Sequence, residues 1–395
     1  MKPILQGYRV LDFGRYIAAP YCASLLGFLG AEVIRIDRPE GSEDRNIVPI
    51  TESGDGAMYM QMNANKKGLT LDIASPKGRE IVKKLVATAD VVIANMPPKT
   101  LKYLGLDYES LCEIKSDIIL TSNTTFGSKG PYANKLGFDG IAQAMSGAAY
   151  FSGTADGSPV KAAVQYVDFS TALAGVIGTL AAIMLHQQTG EGQQVETALL
   201  ATALSITNGS LIEQAITNVN RTPSGNRAQV VAPSDLCATK DGFIIIQSVG
   251  PYMFKRWARL LGKEEWLSDP RFVDDDARGK HADIICDEAA RWCEQRTTAE
   301  ALAELEAAKL PAGQVLTYQQ ALDHPYVQAM GHLRDVSHPD LDSPVPVADA
   351  PFKLSKAAPN EIQRAPLLGE HTAEILQNLG LSDAEIADLK NHDII

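Results

Sequence analysis

The chain has 395 residues, with 36 Lys or Arg against 48 Asp or Glu and a formal net charge of −12. That length suits one large or two medium domains, each with its own core, and 45% apolar residues exclude a chain too polar to fold. The acidic balance argues against nucleic acid and anionic membranes as main partners, and leaves room for a local basic pocket.

Tyr8–Phe13 is a short β-type run. Pro20–Leu29 reads as a helix stopped by Gly30. Ala31–Ile36 and Gly68–Ile73 read as strands. Ser75-Pro76 is an N-cap and first-turn pair that opens a helix to about Thr88. Asp90–Ala94 and Asp117–Thr121 are further apolar strands, and Val164–Val167 is a short apolar run before Asp168. Strands alternating with helices predict right-handed βαβ units and a parallel sheet covered on both faces. Phe138–Ser146 and Phe169–His186 read as helices. The longest apolar run, Thr171 to Leu185, is Gly- and Ala-rich and reads as a buried helix, so no membrane is expected as a partner.

From about Thr222 the texture changes. Ser234–Cys237, a Lys240-Asp241-Gly242 turn and Phe243–Gln247 predict a hairpin. Charged helical segments follow at Met253–Leu261, Ala282–Glu294 and Thr298–Lys309. Asp323–Ala350 is Pro- and Asp-rich and reads as a connector. Thr372–Asn391 carries one or two amphipathic helices. The expected organisation is a large α/β domain over 1–224, a smaller α+β domain over 225–325, and a connector with a return to the large domain over 326–395.

Several familiar chemistries are missing. No GxGxxG follows the first strand, and there is no P-loop and no HExxH. The five cysteines, Cys22, Cys112, Cys237, Cys286 and Cys293, form no CxxC. No metal is expected, and the cysteines suit reduced thiols in a cytoplasmic protein. The opening residues carry no apolar h-region of a secretory signal. All seven histidines lie at or beyond His186, so a His-centred acid/base site inside the first α/β stretch is hard to build. Carboxylates remain. Asp168 precedes a long apolar helix, where spacing alone allows either an ordinary helix cap or a nucleophile beside a helix N-terminus.

The ordered motifs resolve this. They are Leu5-Gln-Gly-Tyr-Arg-Val-Leu-Asp-Phe13, Ala19-Pro20 with Leu25-Leu-Gly-Phe-Leu-Gly-Ala-Glu-Val-Ile-Arg-Ile-Asp-Arg-Pro39, and Asn65-Lys-Lys-Gly-Leu-Thr-Leu-Asp72. Asp90-Val-Val-Ile-Ala-Asn95 comes next, then Gly137-Phe-Asp139 with Gln143-Ala-Met-Ser-Gly147. Thr189-Gly-Glu-Gly-Gln193 and Leu368-Gly-Glu-His-Thr372 complete the set. Together they resemble class III CoA-transferases, the formyl-CoA transferase and carnitine CoA-transferase family, over nearly the whole chain.

The resemblance implies a Rossmann-like large domain, a smaller α+β domain and two chains interlocked as rings. It implies that CoA moves from an acyl-CoA donor to a carboxylic acid acceptor, with Asp168 in Gln165-Tyr-Val-Asp-Phe-Ser-Thr171 forming an aspartyl mixed anhydride and then an aspartyl-CoA thioester. By the same resemblance Ile17, Arg38, Leu71, Ala74, Asn95 and Met96 line the nucleotide site. Two further basic positions of the family fall on Tyr103, with Lys102 beside it, and on Leu136, with Lys135 beside it. Phe138 and Asp139 match a pair beside the pantetheine. A glycine-rich loop that stabilises oxyanions is also implied, with Gln247-Ser-Val-Gly250 the nearest candidate. The family includes α-methylacyl-CoA racemases, whose motif has His where this chain has Phe138, so racemisation by that route is not expected. A CoA-binding subunit of a heteromeric transferase is the other alternative.

Overall fold

A computed structural model describes residues 2–357 and 361–395. The first part of the chain runs β1 (Arg9–Asp12), α1 (Ala18–Phe28), β2 (Glu32–Asp37), α2 (Ala57–Met62), β3 (Lys66–Thr70), α3 (Pro76–Ala87), β4 (Val91–Ala94), α4 (Pro98–Leu104) and α5 (Tyr108–Ile114). It continues with β5 (Ile119–Thr124), α6 (Asp139–Met145), α7 (Ala148–Phe151), α8 (Tyr166–Thr189), β6 (Gln194–Ala198) and α9 (Leu199–Thr217). Then come β7 (Ser234–Ala238), β8 (Phe243–Gln247), α10 (Gly250–Leu260), α11 (Asp275–Lys280), α12 (Ala282–Glu294), α13 (Thr298–Ala307) and β9 (Ala312–Gln314). The last elements are α14 (Tyr318–Asp323), α15 (Pro325–Met330), β10 (Leu333–Val336), β11 (Val345–Ala348), α16 (Thr372–Asn378) and α17 (Asp383–Asn391).

Strands β1 to β6 form one parallel sheet in the order β3-β2-β1-β4-β5-β6. Alternation along each strand sends side chains to both faces. On one face Leu11, Ile34, Val92 and Leu120 meet Leu85 of α3 and Leu101 of α4. On the other, Val10, Val33 and Ile93 meet Leu25 of α1 and Ala172 and Val176 of α8. Truncating a fully buried residue such as Leu85 to Ala would cost about 2–5 kcal/mol. Ser75 caps α3, accepting from the Gly78 N–H at 3.0 Å, and Pro76 opens its first turn. Helix α8 packs close enough to the sheet that a Cβ on Gly178 would come within 2.5 Å of Val195 Cγ1.

The edge strand β3 is covered by the end of the chain. Gly68 accepts from the His371 N–H at 2.9 Å, Thr70 N–H donates to Thr372 Oγ1 at 3.1 Å, and Asp72 N–H donates to the Ile394 carbonyl at 2.7 Å. Otherwise that edge would offer unpaired backbone groups.

The chain divides into two compact units. One comprises Met1–Ser146, Ala163–Gly209 and Gln328–Ile395; the other comprises Gly147–Ala162 and Ser210–Val327. The second unit has a three-stranded antiparallel sheet, β7-β8-β9. Its core joins Phe254, Trp257, Trp266, Phe272 and Trp292.

Three readings are corrected. The helix expected to begin at Phe169 begins at Tyr166 and takes in the end of the apolar run Val164–Val167, so Asp168 lies inside the first turn of α8. Short apolar runs do not distinguish strand from helix. Asp323–Ala350 is not merely a connector, because β10 and β11 pair antiparallel within it. Strand β3 starts at Lys66 and ends at Thr70, where its partner β2 ends at Asp37, which frees Leu71–Ile73 for other use. Thr171 to Leu185 lies within α8 as expected. Among the described residues α8 alone is long and apolar enough to cross a membrane, and half of its most apolar stretch is buried in the fold.

Candidate active site

The strand order turns back between β1 and β4, and ligands of open α/β sheets bind at the carboxyl ends of strands at such a point. A cavity of about 720 Å³ opens among the loops that follow β1, β2, β3 and β4. Its walls include Arg38, Leu71, Ala74 and Met96 from the expected set. Arg38 leaves β2 with its side chain 59% exposed and only a loose 3.9 Å contact to Glu43. Leu71 enters the wall because β3 has already ended, its N–H donating to Asp37 O at 2.9 Å.

Arg15 also lines the cavity, and the sequence reading did not single it out. The signal was available: it is the basic residue in the turn after the first strand. Its guanidinium donates to Gly14 O at 2.7 Å, and burial pulls its pKa down, with Arg35 nearby adding to the effect. Asn95 is not in the wall. It holds Arg15 instead, accepting from the Arg15 N–H at 3.0 Å and donating to the Arg15 carbonyl at 2.7 Å.

The next residue, Tyr16, has φ +66°. For a bulky side chain this left-handed backbone is strained and persists only where its surroundings enforce it. Asp44 does so, accepting from the Tyr16 N–H at 3.0 Å. Asp44 in turn pairs with Arg35 at 2.8 Å; Arg45 pairs with Asp37 at 2.9 Å and Asp55 at 2.8 Å; Lys66 pairs with Asp12 at 2.7 Å. All of these side chains are buried. Burial pushes the Lys66 ammonium down to about 8 even with Asp12 beside it. Burial would raise the Asp37 carboxyl, but the Arg35 guanidinium keeps it well below the usual range. This charged layer lies directly beneath the Gly14–Tyr16 turn, because Asp12 Oδ1 also accepts from the Gly14 N–H at 2.8 Å.

Asp168 is 9% exposed. Among the described residues its carboxylate meets no hydrogen-bond donor. Burial, and next the charge of Asp139, push it up to about 7. The helix N-terminus was expected to favour its ionised form, but those amides are already occupied. Asp139 Oδ2 accepts from the Val167 N–H at 2.8 Å and from the Asp168 N–H at 3.1 Å. Its other oxygen accepts from Gln143. Asp139 is itself buried, and its hydrogen bonds run to helix α8 and to Gln143 on its own helix.

The remaining expected residues sit apart from the cavity wall. Ile17 is buried just before α1. Tyr103 is 66% exposed and lies under the Arg79 guanidinium. Lys135 stands over the Tyr132 ring, while its neighbour Leu136 reaches the cavity. Phe138 meets Tyr16 edge-on, ring centroids 5.3 Å apart. In the second unit, the Gln247–Gly250 loop is not a set of free donors. Gln247, Ser248 and Gly250 N–H groups donate to Pro311 O, Pro233 O and the Asp275 carboxylate.

Comparison with known proteins gives the family. The chain is 33% identical over 389 residues to a succinate–glutarate CoA-transferase of Agrobacterium fabrum, covering 96% of each chain. It is 31% identical over 394 residues to a succinyl-CoA–D-citramalate CoA-transferase of Chloroflexus aurantiacus, covering 99% of this chain and 98% of the relative. The crystal structure of a CaiB/BaiF family protein from Brucella suis superposes with a TM-score of 0.84 at 32% identity, covering 96% of this chain and all of that one. The sequence profile of CoA-transferase family III matches residues 5–372, and the chain belongs to that family.

Proposed function

We propose that this transferase moves CoA from an acyl-CoA to a carboxylic acid acceptor, with Asp168 as the nucleophile. The carrying observation is the place of Asp168: a buried carboxyl in the first turn of a helix, whose oxygens meet no hydrogen-bond donor among the described residues and so stay free to attack. The Asp168 carboxylate attacks the thioester carbonyl; the C–S bond breaks and CoA leaves as thiolate, leaving a mixed anhydride. The thiolate then attacks the aspartyl carbonyl, releasing the donor acid as its carboxylate and forming aspartyl-CoA. The acceptor carboxylate repeats the two steps in reverse, and the charge balances at each step. Burial keeps water from the anhydride and the thioester.

The cavity receives the nucleotide end of CoA. Arg15 and Arg38 suit its phosphates, and Leu71, Ile73 and Met96 supply apolar surface for adenine. The relatives named as succinyl-CoA or succinate transferases make succinyl-CoA with a dicarboxylic acid the first pair to test. The reading further includes a cytoplasmic, interlocked homodimer. A panel of acyl-CoA donors and acids, with CoA exchange followed by mass spectrometry, tests it on wild type and on Asp168→Ala and Asp168→Asn. The expected result is transfer by wild type and none by either folded variant. Wild-type turnover in either variant defeats the assignment.

A further inference from the structure

We infer that Asp139 is the positioning residue for Asp168: its carboxylate, bound to the two amides that open α8, fixes where Asp168 points and keeps a second negative charge against it. The inference rests on Asp168 being the nucleophile. It replaces the expectation that Asp139 contacts the pantetheine.

A helix leaves its first N–H groups without internal partners. In α8 the preceding residue, Gln165, makes no side-chain cap. The cap comes instead from α6, where Asp139 receives the Val167 and Asp168 N–H groups on a single oxygen at 2.8 and 3.1 Å. Gln143, one turn further along α6, occupies the other oxygen and holds the carboxylate in that orientation. Asp139 is 4% exposed, so it is fixed by packing as well as by these bonds.

Two consequences follow. The donors and the dipole that would favour an ionised Asp168 are answered by Asp139 instead. The backbone of Asp168 is also tied to α6, so its side chain leaves the helix from a fixed point. Among the described residues the charged group facing Asp168 is Asp139 on α6. Tyr166, on its own helix, is the titratable group near Asp139, and its phenol is raised by burial and then by that carboxylate. From α1 and α9 the residues packed against this turn are the apolar Ala18, Leu199 and Ala203.

An ordinary helix cap would contribute stability and nothing more, so the test needs a readout that capping does not move. Asp139→Asn keeps the shape and an accepting oxygen but removes the charge. Thermal melts of wild type, Asp168→Asn, Asp139→Asn and the double variant are recorded from pH 4 to 8, without substrate. In the wild-type background Asp168→Asn should gain in melting temperature as pH rises toward 7. In the Asp139→Asn background that gain should set in at the same pH, be smaller, and level off about one pH unit lower. In parallel, the exchange of labelled succinate into succinyl-CoA should show its acid limb shifted down by about one unit in Asp139→Asn, with CoA affinity unchanged. Asp139→Glu should restore the wild-type limb in part. If Asp139→Asn leaves both the coupling and the acid limb where wild type has them, the inference fails. It fails equally if CoA affinity drops tenfold with the limb unmoved, which would return Asp139 to the CoA-binding set. An active Asp168→Asn would instead defeat the nucleophile assignment, so the two failures are told apart.

Discussion

Asp168 is held at a cost to the fold. Its carboxyl is raised from 3.8 to about 7 by burial and then by Asp139, so the native chain holds this proton more firmly than the unfolded one. For a carboxyl raised on folding, stability falls as pH climbs from about 4 to 7 and levels off above. The penalty is at most about 4 kcal/mol at pH 8. Asp168→Asn should therefore melt several degrees above wild type at pH 8, match it near pH 4, and carry out no transfer; calorimetry across that range checks the sign. Arg38, with its largely exposed head and loose partner, is the residue to test for the nucleotide. Arg38→Glu should weaken CoA binding roughly tenfold to a hundredfold, from about 1.5–3 kcal/mol for a hydrogen bond to a charged group. The loss should be larger at low salt, by titration calorimetry with CoA. Phe138 packs its ring on Tyr16 and has no proton to give. In deuterated water, 2-methylacyl-CoA should gain no deuterium at C2; incorporation as fast as acyl transfer, and lost in Asp168→Ala, would favour a racemase.

At the scale of elements, the loop after β1 is shaped by charges it does not contain. Lys66 reaches across to Asp12, Asn63 and the Pro20 carbonyl, each within 2.8 Å. Lys66→Met would leave Asp12 as a buried, unpaired charge, and we expect a loss of about 3–5 kcal/mol, read as a lower urea midpoint with the slope unchanged. The strands β1, β2 and β4 and the helices α1 and α3 were legible because their apolar patterns and caps are local. Strand β6 was not, since Gln194–Ala198 carries no apolar run and gains its identity from pairing with β5. The start of α8 escaped for a related reason: its cap lies on α6, nearly thirty positions earlier. Asp168, Arg38, Leu71, Ala74 and Met96 were legible as motif positions. Arg15 could have been read from its place after the first strand, but the clamping role of Asn95 became visible only once β1 and β4 lay side by side.

At the scale of the whole molecule, α8 presents Leu173, Ile177 and Met184 outward, 39%, 70% and 61% exposed. Bare apolar surface of that kind calls for a partner, and the proposed occupant is a second copy. Light scattering should give twice the chain mass of 42.5 kDa, and Ile177→Glu should raise the monomer fraction. A single species at the chain mass in wild type would remove the dimer from the proposal.

The chain also leaves its first unit and returns to it at Gln328. The strand β3 is made early, yet its cover, from His371 to Ile394, is made last. During synthesis the bulk of the second unit, Ser210–Val327, is a continuous stretch that can collapse by itself as it emerges, while the first waits with an open edge. Contacts spanning some three hundred positions are slow to close and leave such edges exposed to association. A chain stopped after Val327 should accordingly aggregate on refolding, and supplying residues 328–395 as a separate peptide should rescue it in proportion to peptide concentration. The cavity proposed for the nucleotide, which has Asp393 in its wall, is then among the last features of the molecule to come into being.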